Sequence, residues 1–542
     1  MQRLLYVPVS AVAVLCLSAL LQATALSLPE AAKLSDRDAV RAMLKAGADV
    51  NTAAGDGMTA LHWAAINNDV ELTKLLIQAR ANVNVTTRLG GYTPLLLAAK
   101  DGHVATVNEL IRAGADPNRA TTNGTTPLML AAASGKTESV AALLERGAQI
   151  DATETKGETA LMFAAARGRT EVIRALTARG ADVKATASVI DLTVKPPVPP
   201  PPEPGRLVLR ADDSQLGRAG GNYEDNVLRQ GWGGLAALHF AARQGYMDSA
   251  KALLAAGADI NQPSAGDTST PLMIATINGH FDLAKFLLEQ GADAKAATAN
   301  GATPLYAVLS VEWAPSSPYP NPRAQEQQRT TYLELMKALL DKGADPNART
   351  NKKVWYASGV GVNDVGATPF WRAAAAGDLE AMRLLVARGA DPNVWTTKMR
   401  ERRPGAHDPG QLAEVKGYVS PLPPVPIGGA DVSPLQAVVA SSRVAPTGTM
   451  AAVKYLVEEL HLDVNAADEG GTTVLHEAAA NGDNELVLYL LSKGANPLAV
   501  NRKGLTTVDM ANGPEQKVQP FPETIALLEK LGAKNNHVCV SC

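Results

Sequence analysis

The residues best suited to chemistry stand at the C-terminal end of the sequence, where Cys539 and Cys542 form a C-x-x-C motif. Covalent attachment of a c-type haem needs C-x-x-C-H, because two thiols add to the haem vinyl groups and the adjacent histidine ligates the iron. The sequence ends at Cys542, one residue before the position of that histidine. Cys539 and Cys542 are therefore candidate haem c attachment residues in an incomplete motif.

Three other interpretations of this motif stay open. In an oxidising compartment the two thiols could form a reversible disulfide. Together with His537 they could supply part of a zinc site, which takes four ligands. The last four residues also match a C-a-a-X prenylation box, which does not suit an exported chain. No cofactor is expected from the sequence as it stands, and haem c would be expected only if a histidine follows Cys542 in the gene.

The histidines are the other residues that could act as ligands or bases. His62, His239 and His476 all hold the fourth position of one recurring phrase, so we expect local hydrogen bonds rather than a shared site. His103 and His280 each follow a glycine, again at a recurring position. No H-E-x-x-H, G-x-S-x-G, phosphate-loop or dinucleotide motif occurs. The sequence therefore predicts no catalytic residues and no metal site, and a protein that is not an enzyme.

The charge balance and the composition indicate which partners and which kind of fold to expect. The 542 residues include 51 Lys and Arg against 54 Asp and Glu, which gives a net charge of −3. This balance argues against a nucleic-acid partner, because neutralising phosphates takes a clustered basic excess. Hydrophobic residues make up 46% of the chain and aromatic residues only 4%. The chain is therefore expected to fold, and to do so through many small elements that pack small side chains.

Residues 1–25 have the pattern of an export signal. Arg3 supplies a positive start, residues 4–21 are apolar and uncharged, and residues 23–25 fit the small-x-small cleavage pattern. No later stretch is long and apolar enough to span a membrane. We therefore expect an exported protein, periplasmic or secreted, that is monomeric and has no transmembrane segment after cleavage.

One phrase recurs along the chain at steps of 33 or 34 residues. It reads T-A-L-H-W-A-A from Thr59, T-P-L-L-L-A-A from Thr93, T-P-L-M-L-A-A from Thr126 and T-A-L-M-F-A-A from Thr159. A second phrase, G-A-D-x-N, begins at Gly47, Gly114, Gly257, Gly343 and Gly389. Threonine caps a helix N-terminus, proline fits the first turn, and glycine suits a left-handed helix end. Each period therefore predicts two short helices and a turn.

This pattern resembles the ankyrin repeat, whose signature is T-P-L-H-x-A with a period of 33 residues. The resemblance implies an all-α solenoid of helix-turn-helix units joined by β-turn fingers. About twelve such units are expected over residues 26–535. It also implies a concave face, lined by the fingers and the first helices, on which a protein partner docks.

Departures from the period divide the predicted array. About five repeats are expected over residues 26–190, a Pro- and Gly-rich insertion over 191–231, about seven repeats over 232–535, and a tail over 536–542. Further loop insertions are predicted at 311–330, 351–366 and 396–430. The Pro-rich insertion could be a hinge or a looped excursion, and the resumed helical pattern favours the excursion. Long loops on one face are a common way for a repeat scaffold to gain function.

Two functions fit these features. The first is an exported scaffold that mediates protein–protein interaction through its concave and finger face. The second is the recognition arm of a redox protein, because the chain is similar to exported bacterial proteins in which an ankyrin array precedes a haem-binding segment. In that comparison residues 539–542 look like the start of a c-type cytochrome haem motif, at which this sequence would be truncated. No motif identifies the protein partner.

Overall fold

The computed structural model describes residues 26–190, 232–313, 324–354, 362–397, 430–440, 449–513 and 519–536. Most of these residues form helices in pairs, with a short turn inside each pair and an extended finger between successive pairs. The chain divides into two compact units. Unit 1 comprises Met1–Ala187 and Lys251–Gly257, and unit 2 comprises Ser188–Ala250 and Ala258–Cys542. The predicted signal, residues 1–25, lies outside the described residues.

The first five helix pairs precede the Pro-rich insertion. They are α1 Leu28–Lys33 with α2 Arg37–Lys45, α3 Ala60–Ile66 with α4 Val70–Gln78, α5 Pro94–Asp101 with α6 Val104–Arg112, α7 Pro127–Ser134 with α8 Thr137–Glu145, and α9 Ala160–Ala165 with α10 Thr170–Thr177. The first helices of neighbouring pairs pack against one another, and so do most of the second helices. Each pair therefore adds one layer to a stack.

Seven further pairs follow the insertion. They are α11 Ala237–Gln244 with α12 Met247–Ala255, α13 Pro271–Ile277 with α14 Phe281–Glu289, α15 Pro304–Glu312 with α16 Tyr332–Asp341, α17 Pro369–Ala375 with α18 Leu379–Ala387, α19 Pro434–Ala440 with α20 Thr449–Lys454, α21 Val474–Asn481 with α22 Asn484–Ser492, and α23 Thr507–Ala511 with α24 Pro522–Lys530. A π-helical turn, Tyr455–Glu459, continues α20. The twelve pairs in the described part of the chain confirm the predicted all-α solenoid of about twelve units.

Most of the first helices begin as the recurring phrase predicts, although Ala236 stands in place of the threonine before α11. In α5 the hydroxyl of Thr93 accepts a hydrogen bond from the backbone N–H of Leu96 at 3.2 Å. Pro94 occupies the first turn, where its missing N–H costs nothing. Ala98 and Ala99 are fully buried. Because an alanine side chain is only a methyl group, neighbouring first helices can approach closely, and α5 packs against both α3 and α7.

The second phrase ties each repeat to the next. Gly147 follows α8 with φ 84°, a left-handed conformation in which a β-carbon is disfavoured. Asn118 in the preceding repeat donates from Nδ2 to the Gly147 carbonyl at 2.9 Å and accepts at Oδ1 from the Gln149 N–H at 2.8 Å. In two repeats a residue other than glycine adopts this left-handed conformation: Arg80 has φ 66° and His461 has φ 57°.

The structure describes the ends of the predicted insertions. Strands β1 Val189–Ile190 and β2 Trp232–Gly233 pair antiparallel, with Ile190 opposite Trp232. The two ends of the 191–231 insertion are therefore adjacent, while residues 191–231 lie outside the described part. The insertion at 311–330 is described up to residue 313 and again from a 3-10 turn, Ala324–Gln327. The insertion at 351–366 is described at both ends, and the one at 396–430 only at residues 396, 397 and 430.

Candidate partner-binding face

The cysteine motif lies outside the part of the chain that the structure describes. Cys539 and Cys542 belong to residues 537–542, so their candidate haem attachment stays a prediction. Among the described residues, no three His, Cys, Asp or Glu side chains come together so that they could hold a metal ion. None of the described helices is both long enough and apolar enough to cross a membrane. What the described residues offer for function is the surface of the repeats.

The histidines of the recurring phrase form local bonds, as expected. Nδ1 of His62 accepts from the backbone N–H of Thr59 at 3.1 Å and lies 2.9 Å from the Thr59 hydroxyl. Because Nδ1 accepts, the neutral ring carries its proton on Nε2, which lies 3.0 Å from the carbonyl oxygen of Tyr92 in the next finger. His239 repeats this arrangement, with Nε2 3.1 Å from the carbonyl oxygen of Ser269. These rings join successive repeats.

Burial keeps these rings neutral. Loss of hydration lowers the pKa of His62, and it lowers the pKa of the more deeply buried His239 to about 4. His103 and His280 precede the second helices α6 and α14, where each Nε2 lies about 3 Å from a carbonyl oxygen of the preceding repeat. All four histidines therefore serve repeat stacking, and none is placed to act as a general base.

The fifth position of the recurring phrase forms an exposed apolar row in unit 1. Trp63, Leu97, Leu130 and Phe163 hold this position in α3, α5, α7 and α9, and all four are partly exposed. The residues immediately before and after each of them are almost all buried. We call these four residues the unit 1 row. It presents one large apolar side chain from each of four stacked helices.

Further partly exposed apolar residues border the unit 1 row. One helical turn later, Ile66, Ala133 and Ala166 lie on the same helix face. On the finger side, Met58 and Tyr92 are also partly exposed. The ammonium group of Lys33 lies over the Trp63 ring, 5.0 Å from its centroid. A row of apolar side chains presented by stacked helices is a candidate interaction site.

In unit 2 the same position of the phrase is mostly covered. It is buried at Phe240, Ile274, Ala307, Arg372, Ala437 and Met510, and partly exposed at Glu477. Ala307 and Ala437 belong to one hydrophobic cluster with Tyr306 and Trp371 from the first helices α15 and α17. Val354 and Val362, from the two described ends of the 351–366 insertion, pack into that cluster. The chain therefore covers this part of its own first-helix face.

Hydrogen bonds hold the covering segment in place. The guanidinium Nε of Arg349 donates to the carbonyl oxygen of Gly366 at 2.9 Å, which closes the base of the insertion. The side-chain amide of Asn363 donates to the carbonyl oxygen of Thr397 at 2.7 Å, which links it to the base of the next insertion. Trp371 Nε1 donates to the carbonyl oxygen of Val432 at 3.0 Å. The bases of two finger insertions are thus fastened to each other and to α17.

A buried polar group lies beneath this cover. Arg372 is 2% exposed, and its guanidinium donates to the carbonyl oxygen of Trp313 at 3.1 Å. The indole of Trp313 donates in turn to the carboxylate of Asp378 at 2.8 Å. Burial raises the pKa of the Asp364 carboxyl to about 6, although Lys353 and Arg372 act to lower it. Arg372 and Asp364 are both buried and are therefore not open to a ligand.

Sequence reasoning missed both features of the first-helix face. It assigned no role to the fifth position of the phrase, although the letters W, L, L and F at that position were visible. It also treated the low aromatic content as a sign of packing through small side chains alone. Trp371, Tyr306, Phe370 and Phe281 are instead among the largest fully buried side chains of unit 2. The signal available in the sequence was Phe-Trp-Arg in place of Leu-His-x within one phrase.

Comparison with known families agrees with this architecture. A family model described as ankyrin repeats (3 copies) matches residues 28–121, 97–187 and 238–311. A second model, described as ankyrin repeats (many copies), matches residues 455–511. A single ankyrin-repeat model matches residues 365–397. Together these matches cover more than half of the chain. The Pro-rich insertion at 191–231 falls between them.

The curated relatives are similar to this chain only over short regions. The chain is 43% identical over 81 residues to palmitoyltransferase ZDHHC17 of Danio rerio, which is 14% of this chain and 13% of that protein. It is 40% identical over 94 residues to the tyrosine-protein kinase Shark of Drosophila melanogaster, covering 17% of this chain and 10% of the kinase. It is 36% identical over 93 residues to ankyrin repeat and SOCS box protein 3 of Bos taurus, covering 17% and 18%. The chain spans less than a fifth of each of these relatives.

Proposed function

Since this chain belongs to the ankyrin-repeat family, we propose that it is an exported, non-enzymatic scaffold that binds a protein partner through the first-helix and finger face of unit 1. The observation that carries the proposal is the unit 1 row, in which four stacked helices each expose a large apolar side chain. Burying such side chains in an interface stabilises a complex by about 25 cal/mol per Å² of apolar surface before association costs. The covered face of unit 2 offers no comparable surface at α15, α17 and α19.

A charge placed in the row tests this proposal. We expect the double variant Leu97→Glu, Leu130→Glu to lose its partner, because both carboxylates would be desolvated in the interface. The matched control is Leu488→Glu in the second helix α22, where the leucine is 53% exposed and lies outside the first-helix and finger face. The readout is the set of proteins that co-purify with the tagged full chain from its native host, compared between wild type and both variants. Partners retained equally by all three proteins would contradict the proposal, provided that thermal unfolding shows the variants folded.

The catalytic activities named for the relatives are not carried over to this chain. The similarity to the palmitoyltransferases and the kinase covers at most 17% of this chain and lies in ankyrin repeats. The rings of His62, His103, His239 and His280 are held in stacking bonds, and the Asp364 carboxyl, whose pKa is raised to about 6, is buried. A scaffold role without catalysis is what these features support.

Export is part of the same proposal and rests on residues 1–25. Their positive start, apolar stretch and small-x-small end are the pattern of a cleaved signal. Fractionation of the native host should find the chain outside the cytoplasm, and N-terminal sequencing should find Leu26 at the start of the mature protein. A chain that stays in the cytoplasm with Met1 intact would contradict export and leave the binding role to its own test.

A second candidate function is recognition for a c-type cytochrome, and the observation that favours it is the C-x-x-C motif at Cys539 and Cys542. Covalent haem would persist through denaturing electrophoresis and give a haem stain at the position of the chain. Replacing both cysteines by serine should abolish that stain. A stop codon directly after Cys542 in the gene, together with an unstained chain, would rule out this candidate.

A further inference from the structure

We propose that the side chain of Asp364 is a proton-operated latch at the base of the 351–366 insertion. By latch we mean a group whose protonation state decides whether the described ends of that insertion stay closed against α15 and α17. The neutral carboxyl keeps the base closed, and the ionised carboxylate loosens it. This inference goes beyond the binding role proposed above and does not depend on it, because it rests on buried side chains of unit 2.

The Asp364 carboxyl is buried without the partners that an ionised group needs. The residue is only 3% exposed, and neither carboxyl oxygen accepts a hydrogen bond from the described residues. The guanidinium of Arg372 is committed to the carbonyl oxygen of Trp313, and its Nε makes no hydrogen bond within the described part of the chain. Burying a carboxylate in this way is costly, whereas burying the neutral carboxyl costs far less. The closed base therefore favours the protonated form.

Three groups face the Asp364 carboxyl from the elements packed around it. They are the hydroxyl of Tyr306 in α15, the guanidinium of Arg372 in α17 and the ammonium group of Lys353 at the first described end of the insertion. All three act to lower the pKa of the carboxyl, but loss of hydration outweighs them and raises the pKa to about 6. Asp378, just before α18, acts on Arg372. Burial therefore decides the protonation state of Asp364.

Asp364 stands where the bases of two finger insertions are fastened together. Its carbonyl oxygen accepts from the hydroxyl of Thr350 at 2.7 Å, which joins the two described ends of its own insertion. The side-chain amide of the adjacent Asn363 donates to the carbonyl oxygen of Thr397 at 2.7 Å and to the carboxylate of Asp431 at 2.6 Å. These last two residues flank the 396–430 insertion. A change at Asp364 therefore reaches the bases of both insertions.

The direction of the pH effect follows from the pKa of Asp364 in the closed and the open base. It is about 6 in the closed base, and the ordinary value for an exposed aspartate is 3.8. Between these values the closed base holds a proton that the open base releases, so closing is most favoured below this range. The advantage is lost as the pH rises through about 6. Between about pH 5 and about pH 7.5 the open base should become about tenfold more populated relative to the closed base.

Amide hydrogen exchange of the full chain between about pH 5 and about pH 7.5, corrected for the intrinsic exchange rate, tests the latch. In wild type the protection of the Thr350 and Ala367 amides should fall about tenfold over this range. In Asp364→Asn, whose side chain stays neutral, their protection should stay constant. The Thr121 amide bonds to the carbonyl oxygen of Thr125 in an ordinary finger, and it is the internal reference whose protection should not change.

Two adjacent exposed lysines supply a matched pair of variants that leaves the core intact. Lys353→Gln removes a charge that lowers the pKa of Asp364, so the midpoint of the fall in protection should move to higher pH. Lys352→Gln removes the neighbouring charge and should leave the midpoint near that of wild type. Protection in wild type that does not change with pH, or an equal fall in Asp364→Asn, would overturn the inference. A midpoint that Lys353→Gln leaves unmoved would overturn it as well, because another group would then be titrating.

Discussion

The first helices of unit 1 and unit 2 are built from the same phrase but present different surfaces. In unit 1 its fifth position is a row of four partly exposed large apolar side chains. At α15, α17 and α19 of unit 2 this position is Ala307, Arg372 and Ala437, all at most 2% exposed. Near these three helices, Val354 belongs to the hydrophobic cluster that contains Ala307 and Ala437, and Val362 packs against it, so the ends of a finger insertion contribute to the core of unit 2. A finger insertion can thus add side chains to the core beside the first helices.

The two units also differ in what a substitution on this face should cost. A side chain in the open row of unit 1 loses little contact within the protein when it is truncated, and its effect should appear in binding. A side chain under the cover of unit 2 is packed on all sides, and its effect should appear in stability. Matched substitutions in the two units therefore distinguish the open face from the covered face.

The largest expected difference in the stability cost of a substitution is between Trp371 and Trp63. Trp371→Ala in unit 2 should lower the free energy of unfolding by about 4 kcal/mol, because it empties a fully buried site and removes the bond to Val432. Trp63→Ala in unit 1 should lower it by about 1 kcal/mol, because that ring is partly exposed. Guanidinium unfolding followed by circular dichroism measures both. Equal losses would show that the two faces are not differently covered.

Acid stability should depend on His239 in unit 2. Its pKa is about 4 when folded and about 6.5 when unfolded, so the unfolded state binds the extra proton between these values. Stability from this group is therefore fully present above pH 6.5. It falls by about 3 kcal/mol as the pH drops to 4.

The chain itself offers the matched control for His239. In α7 of unit 1 the same phrase position is Met129, whose Sδ accepts from the Thr126 N–H at 3.4 Å. The variant His239→Met should therefore fold and lose less stability between pH 7 and pH 4 than wild type does. Parallel stability curves for the two proteins over this range would refute the assignment.

Placing a larger side chain on each face should give a difference in stability of intermediate size. Ala307→Leu places at the covered face of unit 2 the residue type that Leu97 and Leu130 already supply in unit 1. Because Ala307 is fully buried in its cluster, we expect a loss of about 2 kcal/mol in the free energy of unfolding. The control is Ala133→Leu beside the unit 1 row, where the alanine is partly exposed and the loss should be below about 0.5 kcal/mol. Thermal unfolding midpoints that shift equally would contradict the covered face.

The smallest expected effect concerns helix caps that both units share. Thr93→Ala removes the hydroxyl that accepts from the Leu96 N–H and should cost about 1 kcal/mol. Thr368→Ala in unit 2 removes the same kind of bond, to the Trp371 N–H at 3.2 Å, and should cost about the same. Hydrogen exchange of α5 and α17 reports each local loss. A much larger loss at Thr368 would mean that the cover acts through the cap as well.

The parts of the fold that depend on contacts recurring with each repeat could be predicted from the sequence alone. Thr93 caps α5, His62 bonds to its own phrase and the next finger, and Gly147 takes the left-handed turn, all through contacts that recur every 33 residues. The cover of unit 2 could not be predicted in this way. Val362 packs against a cluster whose members extend from Met273 to Ala437, and no periodic pattern encodes that packing. The unit 1 row was readable in the phrase, but its exposure depends on the absence of a similar cover among the described residues of those repeats.

Amide hydrogen exchange of the full chain, measured with and without its natural partner, decides whether the first helices of unit 1 form the binding face. The partner is expected to slow exchange in α3, α5, α7 and α9 and in the fingers beside them, while α15, α17 and α19 keep the protection they already have. Added protection confined to the first helices of unit 2, with none in unit 1, would contradict it.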